Sequence, residues 1–192
     1  MQIGSQLKRL IGHKVQAKSA LADFLATRKN LHLEKLVSTY NISLYHYLLS
    51  LSDAHLAADV LQSTWLKVMN YQGSAPKHEK SWLYTVARNL LIDELRRNNR
   101  WQWSEQAVDD LFNDEDQLDI TTALSLQENL KRFNETLDAL PFEQKEAFIF
   151  QQEGFSLQEI AALTQQPKET VKSRLRYAKR KLTSALTEAK ND

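Results

Sequence analysis

The side chains best placed to do chemistry in this 192-residue sequence are cations set at helical spacing. Val171, Leu175, Ala178 and Leu182 recur at i, i+4, i+7 and i+11, the period of a helix with one buried stripe. Glu169, Lys172, Ser173, Arg176 and Arg180 share the opposite face, and Arg174, Lys179 and Lys181 widen the basic surface. Lysine and arginine on such a face bind phosphates, and the arginine fork also matches the acceptors on a guanine edge. The spacing predicts a DNA-reading helix with Lys172, Ser173 and Arg176 at base edges. Arg174, Lys179 and Arg180 are then phosphate contacts.

The elements that must position this helix lie immediately upstream. Gly154 can end one helix, and Ser156 with Glu159 fits the Ser-x-x-Glu capping box that starts another. Ala161 and Ala162 allow a second helix to approach closely. Gln165-Gln166-Pro167 makes a short turn, with Pro167 suited to a helix start where its missing N–H is not needed. Two short helices, a tight turn and a basic outer face describe a helix-turn-helix. Leu137 to Phe150 supplies supporting helices, with Pro141 at a start and Leu137, Leu140, Ala147 and Phe148 as core.

A second chemical face lies between Ser81 and Arg97. Leu83, Val86, Leu90, Leu91 and Leu95 read as its buried stripe, while Thr85, Arg88, Asn89, Ile92 and Arg96 fall together on the other side. Arg97, Arg100, Trp101 and Trp103 extend it. Cations beside aromatic rings suit single-stranded DNA, since rings stack on exposed bases while cations hold phosphates. Trp82 by itself fits a core position. Before this helix, Asp53 to Val68 is amphipathic, with Asp59, Gln62 and Ser63 open to a partner. The loop Asn70–Lys80 joins the two helices, and an extruded base could enter it.

The remaining composition excludes other chemistry. Cysteine is absent, which rules out disulfides and thiolate zinc sites. The histidines His13, His32, His46, His55 and His78 lack ligand-like spacing. No Gly-rich phosphate loop or nucleophile–base pair is visible, so no enzyme activity, cofactor, metal or small-molecule substrate is expected. No apolar run approaches the roughly 18 residues of a membrane span. The N-terminus, with Lys8, Arg9, Lys14 and Lys18, lacks the apolar core of a signal peptide, and a cytoplasmic protein is expected.

Glycine and proline are scarce and fall at breaks between long helical stretches, so the fold class is all-α. Net charge is only +1, but Trp101 to Leu130 carries eight acids and no Lys or Arg; elsewhere 25 basic residues face 16 acidic ones. Two basic helical bodies joined by an acidic connector follow from that asymmetry, and a polyanionic partner is the natural expectation. The expected organisation is a basic leader over residues 1–30, a first body over 31–101, an acidic linker over 102–129 and a second body over 130–189.

Three motifs, in order, resemble the extracytoplasmic-function sigma factors of the sigma-70 family of bacterial RNA polymerase. They are Asp59-Val-Leu-Gln-Ser-Thr-Trp65, Trp82-Leu-Tyr-Thr-Val-Ala-Arg-Asn-Leu-Leu-Ile-Asp93 continuing to Arg97, and Glu169-Thr-Val-Lys-Ser-Arg-Leu175. The resemblance implies that the first body is region 2 and the second region 4. Asp59, Leu61, Gln62 and Trp65 would bind the β′ clamp helices of core RNA polymerase. Trp82, Tyr84, Arg88, Asn89, Asp93, Arg96 and Arg97, with the Asn70–Lys80 loop, would recognise and help melt the minus-ten promoter element. Thr170, Lys172, Ser173, Arg174, Arg176, Lys179 and Arg180 would read the minus-thirty-five element, and region 4 would also dock on the β flap. The linker would run near the active-site and RNA-exit channels, and an anti-sigma factor would hold the protein inactive.

Four positions depart from the family pattern. Ser63 stands where an acid is usual, Gln165-Gln166 where Gly and an apolar residue are usual, and Tyr177 where Arg is common. The competing reading is a stand-alone helix-turn-helix regulator. It would need a dimer seam, which the sequence does not show, and would leave the region-2-like motifs without a role.

Overall fold

Three helix starts in this chain coincide with side chains that satisfy orphan backbone groups of the helix end. The computed structural model describes residues 19–97 and 123–188. Within them run α1 (Ala20–Thr27), α2 (Asn30–Leu51), α3 (Ala54–Asn70), α4 (Glu79–Arg97), α5 (Ala123–Asp138), α6 (Phe142–Gln152), α7 (Leu157–Thr164) and α8 (Lys168–Glu188). Ser19 caps α1 by accepting from the Ala22 N–H, and Asp53 caps α3 by accepting from the Leu56 N–H. Gly154, at φ 83°, ends the turn after α6, where the Phe155 N–H reaches back to the Phe150 carbonyl. The described residues are all-α, in two helical clusters, as the periodicity indicates.

The first cluster is α1–α4. Long α2 packs on α1, α3 and α4, and the core holds Leu36, Leu44, Leu48, Val60, Val68, Leu83, Ala87 and Leu91, all essentially inaccessible. The second cluster is α5–α8, in which α8 packs on α5, α6 and α7. Val171, Leu175, Ala178 and Leu182 are all buried there, the stripe expected from their spacing. Leu140 and Ala147 are buried, and Leu137 and Phe148 pack half-buried against them.

Two boundaries differ from the sequence expectation. The sequence places residues 20–27 in the leader, yet α1 packs on α2 with Leu21 and Phe24 buried, because that short helix carries enough apolar surface to join the core. α5 begins at Ala123, inside the stretch read as linker. The leader before Ser19, most of the acidic linker, and Arg100, Trp101 and Trp103 lie outside the described residues.

The two clusters share one apolar core. Tyr47 of α2 stacks on Phe150 of α6 at 4.9 Å between ring centres and 20° between planes. Tyr84 of α4 sits 5.3 Å from Tyr47 and meets Phe155 edge-on at 5.0 Å. Offset and edge-on aromatic pairs of this kind add about 0.5–1.5 kcal/mol beyond the area they bury.

Candidate nucleic-acid interface

The helix-turn-helix consists of α7, a tight turn and α8. Its entry is the capping box read from the sequence: the Glu159 N–H donates to the Ser156 hydroxyl, and the Glu159 carboxylate accepts from the Ser156 N–H at 2.8 Å. The Ser156 hydroxyl, donating to that carboxylate at 2.7 Å, and then the Ser156 N–H favour the ionised acid and hold Glu159 below the usual carboxylate range. Gln165 takes the left-handed conformation at φ 56°, where glycine is the least strained residue. The turn still closes fully, with the Gln166 N–H bonded to the Ala161 carbonyl at 3.1 Å.

On α8, Lys172, Lys179 and Arg180 are exposed, and Thr170, Ser173 and Arg176 are half-buried. The guanidinium carbons of Arg176 and Arg180 lie 5.5 and 5.2 Å from the Tyr177 ring centre, so that ring supports two cations at the place where Arg is common in the family pattern. Arg174 is different. It is half-buried towards Glu143 and Glu146, and desolvation pulls its guanidinium below the usual arginine range. In this arrangement Arg174 faces carboxylates of its own cluster.

On α4, Asn89, Asp93, Arg96 and Arg97 are exposed, and Arg97 pairs with Glu94 at 2.9 Å. Trp82 is half-buried, with its ring centre 4.8 Å from that of Tyr71. Beside these two rings lies a groove of about 500 Å³, lined by Leu66, Lys67, Asn70, Tyr71, Gln72, Trp82 and Val86. Gly73 makes the ring position possible, since a Cβ there would fall 2.3 Å from the Tyr71 hydroxyl oxygen.

The helix differs from the expected two-faced pattern. Tyr84, Ala87 and Ile92 are buried, whereas Val86 and Leu90 are only half-buried. The physical reason is that α4 packs on two sides, against α2 and α3 and also against the second cluster. Tyr84 donates to the Glu153 carboxylate at 2.6 Å, and burial with that neighbouring charge raises its pKa well above an ordinary tyrosine. Arg88 makes a two-pronged bond to Glu146, from Nε at 2.8 Å and from Nη2 at 3.0 Å. Only 12% of the Arg88 side chain and 1% of the Glu146 side chain is exposed. Lys80 donates to the Glu153 carbonyl and lies 4.7 Å from the Phe155 ring centre.

Glu146, Glu153 and Tyr47 did not emerge from the sequence as functional. One signal was available: Glu143 and Glu146 occupy the i and i+3 positions of a stripe completed by Ala147 and Phe150, so the helical period puts acids in apolar register. Burial lifts the Glu146 carboxyl above its ordinary range, with Arg88 and Tyr47 opposing the shift. Tyr47 donates to it at 3.3 Å and is itself pushed up by burial and by the Glu146 charge.

The polymerase-binding candidates lie on α3. Asp59 and Gln62 are exposed, with Asp59 3.2 Å from the His55 Nδ1. Leu61 and Trp65 are half-buried, and the Trp65 indole donates to Asn41 on α2 at 2.8 Å. Asp53, His55, Asp59, Ser63 and Glu94 rim an acidic groove of about 330 Å³ beside them. Among the described residues no group of three or more His, Cys, Asp or Glu is arranged to hold a metal ion, and no helix is long and apolar enough to cross a membrane.

Family models place these surfaces in context. The model for sigma-70 region 2 matches residues 36–101 and that for sigma-70 region 4 matches residues 130–182. The chain is 33% identical over 152 residues to the ECF RNA polymerase sigma factor SigL of Mycobacterium tuberculosis, covering 76% of this chain and 83% of SigL. It is 32% identical over 150 residues to EcfG of Rhodopseudomonas palustris, covering 75% of this chain and 79% of EcfG. The chain belongs to the ECF sigma factors of the sigma-70 family. As a sigma factor it directs transcription initiation by RNA polymerase.

Solved sigma factors share the fold. The sigma factor RpoE of Bartonella quintana, in complex with the anti-sigma factor NepR, superposes with a TM-score of 0.57 at 24% identity, covering 81% of this chain and 96% of RpoE. CnrH, in complex with the cytosolic domain of CnrY, gives 0.56 at 19% identity, covering 88% and 96%. In this sigma factor the α7–α8 unit falls in the region 4 match, and α3, the ring-lined groove and α4 fall in region 2.

Proposed function

We propose that this sigma factor grips promoter DNA at two places and works as a monomer held at the right spacing by core RNA polymerase. Exposed Lys172, Lys179 and Arg180 of α8, with half-buried Ser173 and Arg176 on the same helix, support minus-thirty-five reading by Lys172, Ser173 and Arg176. The groove beside Tyr71 and Trp82 supports capture of an extruded minus-ten base, because two rings offer stacking faces and Lys67 offers a phosphate contact. Asn89, Asp93, Arg96 and Arg97 continue that surface along α4. Asp59 and Gln62 dock on the β′ clamp helices, with Leu61 and Trp65 shaping the ridge. The second cluster meets the β flap.

The observation that carries this reading is the pairing of both surfaces in one chain, in family order. Tyr84 and Arg88 are engaged between the clusters here, so their DNA contacts require the clusters to part. The described arrangement is thus a closed form, and opening on polymerase frees both grips. An anti-sigma factor is the expected regulator, acting in the cytoplasm by favouring a form unable to engage polymerase.

Run-off transcription from genomic fragments with core polymerase tests the reading. Specific starts that depend on this protein are expected. Failure to support any specific start, while control sigma factors work on the same polymerase, rejects it. In the positive case Asp59→Ala and Gln62→Ala weaken polymerase binding and leave promoter preference unchanged.

A further inference from the structure

The loop between α3 and α4 is held at both ends by a helix that precedes the region 2 match, which begins at residue 36. At the N-terminal end, Arg28 reaches from the end of α1 and donates to the Met69 carbonyl at 3.1 Å and the Tyr71 carbonyl at 2.6 Å. At the C-terminal end, Glu79 accepts from the Ser19 hydroxyl and from the Leu21 N–H, both at 2.6 Å. Tyr40 of α2 lies beside Glu79, and its pKa is pushed up to about 12 by burial and then by the Glu79 charge. One short helix thus ties down the two ends of a single loop.

The backbone of Arg28 strengthens the case. Its φ of 56° lies in the left-handed region, where glycine is favoured and a long side chain is strained. A strained residue persists where its surroundings over-determine it. Here the left-handed turn caps α1 through the Arg28 N–H to Phe24, and the guanidinium forks onto two carbonyls. A lysine offers one compact ammonium and cannot reproduce that fork. Inside the strap the loop is ordered by its own contacts. The Tyr71 hydroxyl donates to the Ser74 carbonyl at 3.2 Å, and its ring rests on Gly73 and against Trp82.

We infer that α1 is a positioning strap for minus-ten recognition, with Arg28 and Glu79 fixing the loop so that Tyr71 and Trp82 present a set groove to the base. The inference rests on the reading of that groove as the minus-ten site. Arg28 and Glu79 touch no DNA in this account; they act through the loop.

The test uses the full chain, free and with core polymerase, in three forms: Arg28→Gly, Arg28→Lys and Trp82→Ala. Glycine relieves the backbone strain while removing the guanidinium, so Arg28→Gly keeps the fold and isolates the loss of the strap. Backbone hydrogen exchange over residues 70–80 should quicken roughly tenfold in Arg28→Gly, about what the net loss of one or two hydrogen bonds gives. Arg28→Lys should fall between it and wild type. On promoters recovered by run-off transcription, the activity ratio between the native minus-ten sequence and single-base variants should shrink in Arg28→Gly, with core-polymerase affinity unchanged. A purely structural strap would leave that ratio alone. Unchanged exchange in the loop overturns the inference. So does faster exchange with an intact ratio while Trp82→Ala lowers the ratio. If neither Arg28→Gly nor Trp82→Ala alters the ratio, the minus-ten reading of the groove fails, and the strap's recognition role fails with it.

Discussion

Replacing Glu146 with Gln removes the negative half of the pair that joins α4 to α6 while preserving its shape. In the closed form Arg88 is left as a cation with only 12% of its side chain exposed, and its two bonds of 2.8 and 3.0 Å to a carboxylate become at most one bond to an uncharged acceptor. Removing one partner of a buried pair costs about 3–5 kcal/mol. Gln retains a carbonyl acceptor, so the lower end applies. Arg88 need not remain unpaired, because separation of the clusters returns it to water. The cost therefore falls on the closed form, and about 3 kcal/mol lowers the closed-to-open ratio by roughly a hundredfold. The sequence has no cysteine, so labels placed by Ser38→Cys and Gln158→Cys, one exposed site in each cluster, report the separation directly. Glu146→Gln should lower energy transfer between the labels and enlarge the radius of gyration by X-ray scattering, with helix content unchanged. The double variant Arg88→Met, Glu146→Leu should recover much of the closed form, because well-packed apolar groups can replace a buried pair at little cost. Unchanged transfer and scattering in Glu146→Gln, or no coupling between the two positions in a double-mutant cycle, would refute the assignment of this pair as the latch.

Two further outcomes follow from named contacts. Gln165→Gly relieves a side chain held at φ 56° and should stabilise the helix-turn-helix by about 0.5–1 kcal/mol, read as a higher melting temperature. Lys172→Ala and Arg176→Ala should each cost about 1–3 kcal/mol of promoter binding by the holoenzyme and relax preference at one upstream position. An unchanged sequence preference in both variants moves the reading face elsewhere on α8.

The sequence by itself determined the local architecture. The capping box at Ser156 and the stripe from Val171 to Leu182 depend on residues within a turn or two of one another, so periodicity and side-chain chemistry reveal them. The order of the motifs was likewise enough to indicate the sigma-factor family. Tertiary structure decided what those helices face. Ile92 falls on the open face by spacing because one period describes one buried side, and α4 has two. Glu146 looked like an ordinary acid until its distance to Arg88, 58 residues away along the chain, placed it in a buried pair. The strap from α1 to both ends of the Tyr71–His78 loop spans separations of 41 to 60 residues. Contacts at that range leave no periodic trace, because a side chain's spacing along its own helix says nothing about which distant element comes to meet it.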